Sequence, residues 1–490
     1  MKKVYFGKEA EDRVFAGAEE LYNAVKVTLG PKGRNFMIAK KYMSPFLTHD
    51  GVTVATNFQS SDPSREVGAS FIRDAAKKSA IDVGDGTTTT TILTYSLLKG
   101  YRNEIVNPMV LAKELLVEAE QLTAQLKPLD TIDLKSVVTL SAQDEVIGDV
   151  VAKALEAVGK DGSVVVEEKN DEGIELEIID GMQIRSGFVS PYMATDDRGR
   201  AVIDNANIFI YNASLNTEND LLAVLQKAGE KATKLLIIAD EISREVVARI
   251  QQLNASNATI VAVLSPELGS RRVSVLEDVC STTGCEMYTG GEVEASMFGT
   301  ASKVIVDLDT TILTVPPNQE RVELLQKELN ASKSERDTKF TKERIASLQG
   351  KIATIFVGGM EAQRKEKVFR IDDAVQAGKS ALDKGTVVGG GLTYLSLETS
   401  DTVAGRLFKK ALEEPFNHLM ENAGLDAKEK KELVSGTTGI DVMKPLAPVD
   451  LVESGIVEPL ALVEGAIKTS ASIVSSLITM GGLIVEEEDE

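Results

Sequence analysis

The stretch VGDGTTTTTIL, residues 83–93, joins two segments whose apolar residues recur at helical spacing. It places an aspartate between two glycines and then runs through five consecutive threonines before it turns apolar. Threonine is a mediocre helix former, so helix propensity does not explain the run. Because glycine interrupts regular structure and the next segment, ILTYSLLKGY, has a helical pattern, the stretch predicts a glycine turn that leads into a helix N-terminus.

A helix N-terminus of this kind can bind an anion. Its first N–H groups have no intrahelical partner and carry partial positive charge. Gly84 and Gly86 would let the backbone approach a bulky ligand closely. The hydroxyls of Thr87, Thr88 and Thr89 can donate hydrogen bonds to phosphate oxygens without adding charge. The pattern therefore predicts a phosphate cradle.

Asp85 would repel a phosphate unless a cation lies between the two groups. Mg²⁺ commonly bridges a carboxylate and a phosphate, so Asp85 is predicted to be a metal ligand. The alternative is a capped helix with a threonine-rich first turn, because aspartate and threonine both cap helices well. Taken alone, this stretch favours the capped helix.

Further turns support a ligand site. TLGPKG, residues 28–33, and VVGGGL, residues 387–392, are glycine-rich and lie beside predicted helices. Asp50 in THDG and Asp373 in IDDA could supply a second metal ligand and a carboxylate that positions water, which are parts that phosphoanhydride hydrolysis needs. The sequence lacks the P-loop pattern G-x-x-x-x-G-K-S/T, and no G-x-G-x-x-G after a strand supports a Rossmann dinucleotide site. We therefore expect a phosphate-ligand site assembled from both ends of the chain.

Composition narrows the class of protein. The 490 residues suggest about three domains at roughly 150 residues each. Lys plus Arg total 54 against 75 Asp plus Glu, and the net charge of −21 argues against binding to nucleic acid. We find no apolar run of the roughly 18 residues that a membrane span needs. The start, MKKVYFGKEAEDR, lacks the apolar core of a signal peptide, so we expect a cytoplasmic protein without a membrane partner.

Cysteine and histidine are scarce. Cys280 and Cys285 cannot form a disulfide framework, and a five-residue offset does not place them on one face of a helix. We interpret them as two small hydrophobic residues in a reducing cytoplasm. His49 and His418 lie far apart in sequence, so a zinc site is not expected.

Secondary-structure patterns change along the chain. NFMIA and PFLTHDGVTVA are strand-like pieces with a turn at residues 49–51. Residues 180–315 alternate strand-like and helix-like runs, which predicts an α/β domain. Residues 318–349 read as two amphipathic helices, and the last 100 residues are mainly helical.

Six motifs, in the order TLGPKGRN, DGVTVA, GDGTTT, GFVSPYM, VVGGG and GIVEP, resemble those of the group I chaperonin family, the GroEL type. The resemblance covers nearly the whole chain and implies an α+β multidomain chaperonin fold. It implies a mainly α equatorial ATPase domain of residues 1–128 and 384–490. A small α/β intermediate hinge domain would span residues 129–179 and 352–383, and an α/β apical substrate-binding domain residues 180–351.

The resemblance also implies residue roles. The residues that would line the nucleotide are Thr28, Leu29, Gly30, Pro31 and Gly390. Those that would hold metal and phosphates are Asp85, Gly86, Thr87, Thr88 and Thr89. Asp50 would help to organise the attacking water, and Asp373 would be the carboxylate that domain closure brings in to promote hydrolysis. ATP and Mg²⁺ are the implied cofactors, with K⁺ as a further candidate ion.

Three positions of the nucleotide site depart from the family pattern. The family's DGVTV motif is usually preceded by lysine, but here by His49, which is mostly neutral at neutral pH. Glu458 in GIVEP stands where aspartate is usual, and the longer carboxylate can still reach a ribose. Asp441 lies where the family has its sugar- or base-facing loop, in a local alignment that needs an insertion. Reduced ATP affinity is expected.

The resemblance implies an apolar groove for unfolded chains, formed by Phe188, Tyr192, Met193, Leu222, Leu225 and Val247. Ordinary core packing is the alternative for each, especially for Leu222 and Leu225 on an amphipathic helix. Gln251 and Gln252 fall where the family usually presents aliphatic residues, so the groove should be more polar and its client range narrower.

By resemblance, the chain is an ATP-dependent chaperone that folds non-native polypeptides inside a homo-oligomer. The implied partners are further copies in seven-membered rings, unfolded protein clients and a GroES-type co-chaperonin. The chain ends in EEEDE rather than a Gly-Gly-Met repeat, and the region 400–438 is short, so a single ring is one outcome. The alternatives are an ATP-weak ring that acts as a holdase or scaffold, and an unrelated nucleotide-dependent metabolic enzyme.

Overall fold

The computed structural model describes residues 2–39, 45–83, 86–160, 162–169, 171–196, 198–256, 258–331 and 335–486. The chain forms two compact units. Unit 1 comprises Met1–Leu155, Glu168–Glu175 and Phe356–Glu490, and unit 2 comprises Glu156–Glu167 and Leu176–Ile355. This division does not test the three predicted domain boundaries, which stay predictions.

The first part of the chain is mainly helical. Its strands are β1 (Lys2–Phe6), β2 (Phe36–Ile38) and β3 (Phe46–Thr48). Its helices are α1 (Gly7–Val25), α2 (Gly51–Asn57), α3 (Pro63–Val83), α4 (Thr87–Tyr101), α5 (Pro108–Thr123), α6 (Leu134–Ala142) and α7 (Glu145–Val158). β2 and β3 form an antiparallel pair with Phe36 opposite Thr48, so the strands predicted in NFMIA and PFLTH are confirmed.

The strand predicted to continue through DGVTVA is wrong, because this segment forms the helix α2. The β-branched residues Val52, Thr53 and Val54 favour a strand, but the preceding aspartate decides the outcome. The Asp50 carboxylate accepts hydrogen bonds from the N–H groups of Val52 (3.0 Å) and Thr53 (2.8 Å). These bonds satisfy N–H groups of the first turn and so begin the helix.

The core of unit 1 is built from helices that approach closely. The stripe predicted on α1 is confirmed, since Val14, Ala18, Leu21 and Val25 are all buried. Glycines allow α1 and α3 to pack backbone against backbone. A Cβ atom on Gly17 of α1 would lie 1.7 Å from the carbonyl oxygen of Arg65 on α3. Any larger residue would therefore force the two helices apart.

Unit 2 contains a six-stranded sheet in the order β6-β11-β10-β7-β8-β9. The strands of this part of the chain are β4 (Ser163–Glu168), β5 (Ile174–Asp180), β6 (Met182–Ile184), β7 (Ala201–Leu215), β8 (Lys234–Ile242), β9 (Thr259–Leu264), β10 (Gly299–Val306), β11 (Thr311–Thr314) and β12 (Lys351–Val357). The helices are α8 (Glu218–Ala228), α9 (Arg244–Asn254), α10 (Gly269–Thr283), α11 (Gln319–Ala331) and α12 (Glu335–Leu348). β7, β8 and β9 are parallel and the other three pair antiparallel, which confirms the predicted α/β character. A three-stranded sheet has the order β4-β12-β5.

The last part of the chain returns to unit 1. Its helices are α13 (Glu361–Lys384), α14 (Leu392–Ser396), α15 (Val403–Ala411), α16 (Glu414–Asn422), α17 (Ala427–Lys431) and α18 (Leu460–Ile478). Its strands are β13 (Thr386–Val388), β14 (Thr438–Gly439), β15 (Val449–Asp450), β16 (Val457–Pro459) and β17 (Gly482–Glu486). They pair as β13 with β16, β14 with β15, and β17 with β1.

One helix corrects the expectation that no stretch is apolar enough to span a membrane. Among the described residues, α18 is long and apolar enough to do so by length and composition. However, 61% of its apolar window is buried inside the protein, and Val463, Ile467 and Val474 on it are fully buried. These contacts show a core helix of unit 1, for which such a composition is equally expected.

Candidate functional site

The N-terminus of α4 has the predicted geometry. Gly86 caps the helix in the left-handed conformation, with φ of 81°, which glycine adopts without strain. The first intrahelical bond runs from the Thr90 N–H to the Gly86 carbonyl oxygen (2.9 Å). The N–H groups of Thr87, Thr88 and Thr89 therefore precede the ladder of helical hydrogen bonds. Asp85, the predicted metal ligand, lies outside the described residues.

The turn after α1 reaches this helix. The Thr28 hydroxyl donates to the Val25 carbonyl oxygen (2.9 Å), and its Oγ1 atom lies 3.4 Å from Oγ1 of Thr88. Thr28 is buried, with 3% of its surface exposed. The structure thus brings together two hydroxyls that sequence analysis assigned to one nucleotide site.

Gly51 lies against the same threonines. A Cβ atom built on Gly51 would lie 2.3 Å from Oγ1 of Thr88 and 3.2 Å from Oγ1 of Thr87. The absence of a side chain here is therefore what allows the start of α2 to approach the start of α4. Asp50, which precedes Gly51, also accepts a hydrogen bond from the Thr53 hydroxyl (2.6 Å). Its carboxylate is thus held at the end of α2 that faces the threonine turn.

The remaining residues of the TLGP turn are held by the C-terminal part of unit 1. Asn422 on α16 donates from Nδ2 to the carbonyl oxygens of Leu29 (3.0 Å) and Lys26 (3.1 Å). Gly30 has φ of 75°, and a Cβ atom there would lie 2.3 Å from Cδ2 of Leu419. Pro31 is exposed. Residues from both ends of the sequence therefore shape this turn.

His49 lies beside this turn and carries little positive charge at neutral pH. Burial lowers the pKa of His49 below its ordinary 6.5, a backbone hydrogen bond with Gly30 acts in the opposite direction, and Arg370 lowers the pKa further. Its Nε2 atom is buried and has no hydrogen-bond partner. The fixed lysine charge that the family usually places here is therefore replaced by a neutral ring.

Asp373 lies on α13, three residues after Arg370. Residues three or four apart share a helix face, so Asp373 is on the face whose Arg370 and Glu366 influence the pKa of His49. Asp373 is half-buried. Asp373 thus shares a helix face with charges that act on His49, and its catalytic role stays a prediction.

The C-terminal glycine turn forms a second part of the predicted site. Gly390 has φ of 64°, and the side chains nearest to a Cβ atom there are Leu451 (3.0 Å) and Ile456 (3.9 Å). Glu458 lies on β16 opposite Val387 on β13. The Asp441 carboxylate accepts a hydrogen bond from the Met443 N–H (2.8 Å). These three predicted ligand residues belong to unit 1, and their contact with a nucleotide stays a prediction.

Two other features of unit 1 bear on ligand binding. A cleft of about 500 Å³ has no predicted site residue in its lining; the residues that line it are Tyr394, Leu395, Leu397, Glu398, Thr399, Lys409, Leu412, Glu413 and Lys431. No cluster of three or more His, Cys, Asp or Glu residues suited to a metal occurs in the described ranges, which leave out Asp85. The metal site at Asp85 therefore stays a prediction.

The six residues predicted for a client groove in unit 2 differ in burial. Phe188 and Met193 are core residues with 6% and 1% of their surfaces exposed, so they stabilise unit 2 rather than present a surface. Leu222, Leu225 and Val247 are half-buried on α8 and α9, and Tyr192 is 85% exposed. Core packing is thus the role that the structure gives Phe188 and Met193.

Polar contacts cross the predicted groove. Glu218 on α8 and Arg249 on α9 form an ion pair (2.9 Å), and Gln251 donates from Nε2 to the Ser190 hydroxyl (3.1 Å). Arg249 also donates to the side-chain oxygen of Gln252 (3.0 Å). The two glutamines are therefore held in defined positions, which agrees with a more polar groove.

Sequence analysis missed one pair of chemically active residues. The Sγ atoms of Cys280 and Cys285 lie 3.3 Å apart, although their spacing does not place them on one helix face. The helix ends between them, because Gly284 adopts the left-handed conformation (φ of 74°) and reverses the chain. The glycine before Cys285 was the sequence signal for this turn.

Comparison with known proteins identifies the family. Residues 21–488 match the family model described as the TCP-1/cpn60 chaperonin family, so the chain belongs to this family. The fold is similar to that of the chaperonin gp146 from the bacteriophage EL 2 (Pseudomonas aeruginosa), whose crystal structure was determined in the presence of ATP-BeFx. The TM-score is 0.74, the sequence identity is 21%, and the match covers 99% of each chain. The chain is therefore a divergent member, the predicted α+β multidomain chaperonin fold is confirmed, and an unrelated metabolic enzyme is excluded.

Proposed function

We propose that the protein is an ATP-dependent molecular chaperone, which binds non-native polypeptides and promotes their folding inside a ring-shaped homo-oligomer. Membership of a chaperonin family supports the chaperone role itself. The proposal adds hydrolysis of Mg-ATP as the driving reaction, seven-membered rings, a GroES-type co-chaperonin as lid, and the cytoplasm as location. K⁺ is a further candidate ion at the nucleotide site.

The observation that carries the proposal is the convergence of Thr28, Gly51 and Thr88 at the start of α4. Two hydroxyls lie 3.4 Å apart, and the nearest backbone approaches them only because residue 51 has no side chain. The Thr88 hydroxyl and the N–H groups of the first turn of α4 form a set of donors for an anion. Donors without fixed positive charge fit a phosphate that reaches the site together with its own cation.

Each residue of the site would have its own part in the hydrolysis of bound ATP. Mg²⁺ would neutralise charge on the phosphates, with Asp85 as its predicted protein ligand. The Thr88 hydroxyl would orient the phosphate, with Thr28, whose own hydroxyl donates to Val25, lying against it, and Asp50 would hold the attacking water. Asp373 would accept the proton that this water releases. The residues present therefore fit a nucleotide phosphate.

Exposed apolar surface supports assembly into rings. In the sheet of β1 and β17, Val4 (48% exposed) lies opposite Ile484 (66%), and in the hairpin of β2 and β3, Met37 (64%) lies opposite Leu47 (57%). Each sheet therefore presents an apolar cross-strand pair to solvent. Two-stranded sheets with exposed apolar residues are suited to pairing with another chain. Contacts between copies through these two sheets would cover both pairs.

A refolding assay tests this function. A chemically denatured monomeric enzyme is diluted into an excess of the purified protein with ATP and Mg²⁺, with ADP and Mg²⁺, or without nucleotide, each with and without a GroES-type co-chaperonin. We expect recovered enzyme activity to rise with ATP, and electron microscopy to show rings. An unchanged yield in every ATP sample, despite intact rings, would contradict ATP-driven folding.

His49 favours a second candidate, an ATP-weak ring that acts as a holdase or scaffold. A neutral ring with a buried, unpartnered Nε2 atom supplies no fixed charge for phosphate, and burial disfavours its protonation. Such a ring would bind clients and suppress their aggregation without ATP.

Light scattering distinguishes the two candidates. A holdase lowers the aggregation of a denatured client equally with and without ATP. The ATP-driven chaperone releases the client when ATP is added, so scattering or recovered activity changes with nucleotide. If the neutral His49 is the reason for weak ATP use, the charged variant His49→Lys should gain ATP-dependent release of the client.

A further inference from the structure

Cys280 and Cys285 form a preorganised dithiol in unit 2. Their Sγ atoms are 3.3 Å apart, and both thiols are free. A disulfide has a bond length of about 2.05 Å, so closure needs only a small further approach. Hydrophobic packing alone does not require the two sulfur atoms to contact each other. The geometry therefore indicates a chemical role beyond packing.

The local backbone explains why the sulfurs meet. Cys280 lies in the last turn of α10, and its carbonyl oxygen accepts a hydrogen bond from the N–H of Gly284 (2.9 Å). Gly284 has φ of 74°, which reverses the chain and returns Cys285 to the side of Cys280. A Cβ atom on Gly284 would have nothing within 4 Å, so this glycine has room to absorb the movement that closure requires.

The surroundings of the two thiols differ, and this difference suits one thiol to react first with a reagent and the other to close the disulfide. Cys280 is half-buried and Cys285 is buried, so Cys280 is the more accessible of the two residues. The Thr283 hydroxyl lies 3.3 Å from the Cys285 sulfur. Hydrogen bonding between the two thiols lowers the pKa of Cys285 and raises that of Cys280, because the pair loses one proton readily and the second with difficulty.

We propose that Cys280 and Cys285 are a redox modification site, at which a small-molecule disulfide oxidises the pair to a reversible intrachain disulfide. The Cys280 thiol passes its proton to the Cys285 sulfur 3.3 Å away and attacks one sulfur of glutathione disulfide, the S–S bond of the reagent breaks, and the departing glutathione takes up that proton. The Cys285 thiolate then attacks the Cys280 sulfur and displaces the second glutathione. Two protein thiols are oxidised to one disulfide, and one glutathione disulfide is reduced to two glutathione molecules.

The bridge would connect the end of α10 to the segment that leads to β10. The backbone of Gly299, the first residue of β10, lies against Cys285, since a Cβ atom there would be 2.8 Å from the Cys285 nitrogen. Oxidation therefore acts where a helix terminus, a glycine hinge and a sheet strand meet. It would restrain this corner of unit 2 without the participation of any other cysteine, because the chain has two.

Intact mass measurement tests the proposal on the folded, full-length protein. The protein is treated with glutathione disulfide under native conditions, acid-quenched and weighed. We expect the wild type to lose the mass of two hydrogens, to retain no glutathione, to show no free thiol after denaturation, and to return to its original mass with dithiothreitol. Wild-type protein that keeps both thiols, or that accumulates stable glutathione adducts, would overturn the proposal.

The matched single variants assign the two roles. Cys285→Ser should accumulate one stable glutathione adduct at Cys280, and Cys280→Ser should remain unmodified while folded. Rapid modification of Cys280→Ser in the folded state would overturn the order of attack. Phenylarsine oxide, which chelates close dithiols, gives an independent readout. It should bind the wild type with one molecule per chain and bind both single variants at least tenfold more weakly; equal binding to all three would contradict a preorganised pair.

Discussion

Oγ1 of Thr28 lies 3.4 Å from Oγ1 of Thr88, although 60 residues separate them in the sequence. Thr28 is the last residue of the short helical turn that follows α1, and Thr88 lies in the first turn of α4. This contact brings together the TLGPKG turn and the GDGTTT turn. Sequence analysis could assign both turns to one site only from their residue types and from the family resemblance. The pair therefore marks the point from which the nucleotide site can be tested.

The first prediction concerns Gly51→Ala. The new methyl group would lie 2.3 Å from Oγ1 of Thr88, so the threonine must rotate and its hydroxyl leaves the pair with Thr28. Loss of one hydrogen bond to a charged phosphate is worth about 1.5–3 kcal/mol, so ATP binding should weaken by about tenfold or more. Isothermal titration calorimetry measures the change.

Gly481→Ala is the matched control, because a Cβ atom on Gly481 has nothing within 4 Å. It should bind ATP like the wild type. Equal ATP affinity of Gly51→Ala and Gly481→Ala would show that Thr88 does not contact the nucleotide.

The second prediction is a pH dependence due to His49. Because burial lowers the folded-state pKa of His49 below 6.5, the unfolded chain binds this proton more readily than the folded chain. The associated stability is fully present above pH 6.5 and falls as the pH decreases from there toward the folded-state pKa. Arg370 lowers the folded-state pKa of His49, whereas Glu366 and Asp50 raise it. These three charges therefore help to set the pH at which the loss of stability is complete.

Urea unfolding at several pH values tests this dependence. The midpoint of the wild type should fall between pH 7 and pH 5 more steeply than that of His49→Asn, which cannot take up the proton. The two proteins should show parallel curves between pH 7.5 and pH 8.5. Identical slopes across the acidic range would mean that burial does not perturb His49.

The sequence predicted elements whose signals are local. The stripe of Val14, Ala18, Leu21 and Val25 defined α1, and the glycine turn before Thr87 defined the start of α4, because helical periodicity and glycine punctuation act over a few residues. The alternating patterns in residues 180–315 predicted the mixed sheet and helices of unit 2 for the same reason.

Other features depended on tertiary or capping contacts that a sequence does not display. α2 forms because Asp50 bonds to the first N–H groups, which outweighs the strand preference of Val52 and Val54. Phe188 and Met193 are buried by the surrounding core of unit 2, a relation that their motif does not encode. Among the site residues, the sequence identified the threonine turn, but only the fold shows that Gly51 lies against it.

The third prediction concerns the buried ion network of unit 2. Asp278 is 1% exposed and accepts hydrogen bonds from Arg321 (2.7 Å) and from Arg344 (2.6 and 2.8 Å). Asp278→Asn leaves the buried Arg344 with the more distant, exposed carboxylate of Glu328 (3.7 Å) as its remaining ion-pair partner, and loss of the buried partner costs about 3–5 kcal/mol of unfolding free energy. Urea unfolding followed by circular dichroism measures this loss.

The comparison variant is Glu292→Gln, which removes an exposed ion pair with Lys227. Exposed pairs are screened by solvent, so its unfolding midpoint should stay close to the wild-type value. A similarly small effect of Asp278→Asn would show that the network does not stabilise unit 2.

The fourth prediction tests assembly. Ile484→Lys places a charge in the exposed apolar pair with Val4, and burying that charge between copies would be costly. Sedimentation velocity should therefore show smaller species than the wild-type ring. Leu308→Lys changes a comparably exposed residue of unit 2, 63% exposed, and should leave the ring intact. Rings that survive Ile484→Lys unchanged would exclude the β1–β17 sheet from the subunit contact.

Steady-state ATP hydrolysis with Mg²⁺ tests the central claim, an ATP-driven chaperonin cycle, most directly. The wild type is compared with Asp373→Ala and with Asp372→Ala, which removes the neighbouring carboxylate on α13. We expect measurable turnover by the wild type and by Asp372→Ala, and a decrease of about 100-fold or more in Asp373→Ala, as for loss of a general base. ATP binding and rings should persist in all three. Absence of turnover in the wild type, with rings present, would contradict the claim and leave the holdase or scaffold as the function of the ring.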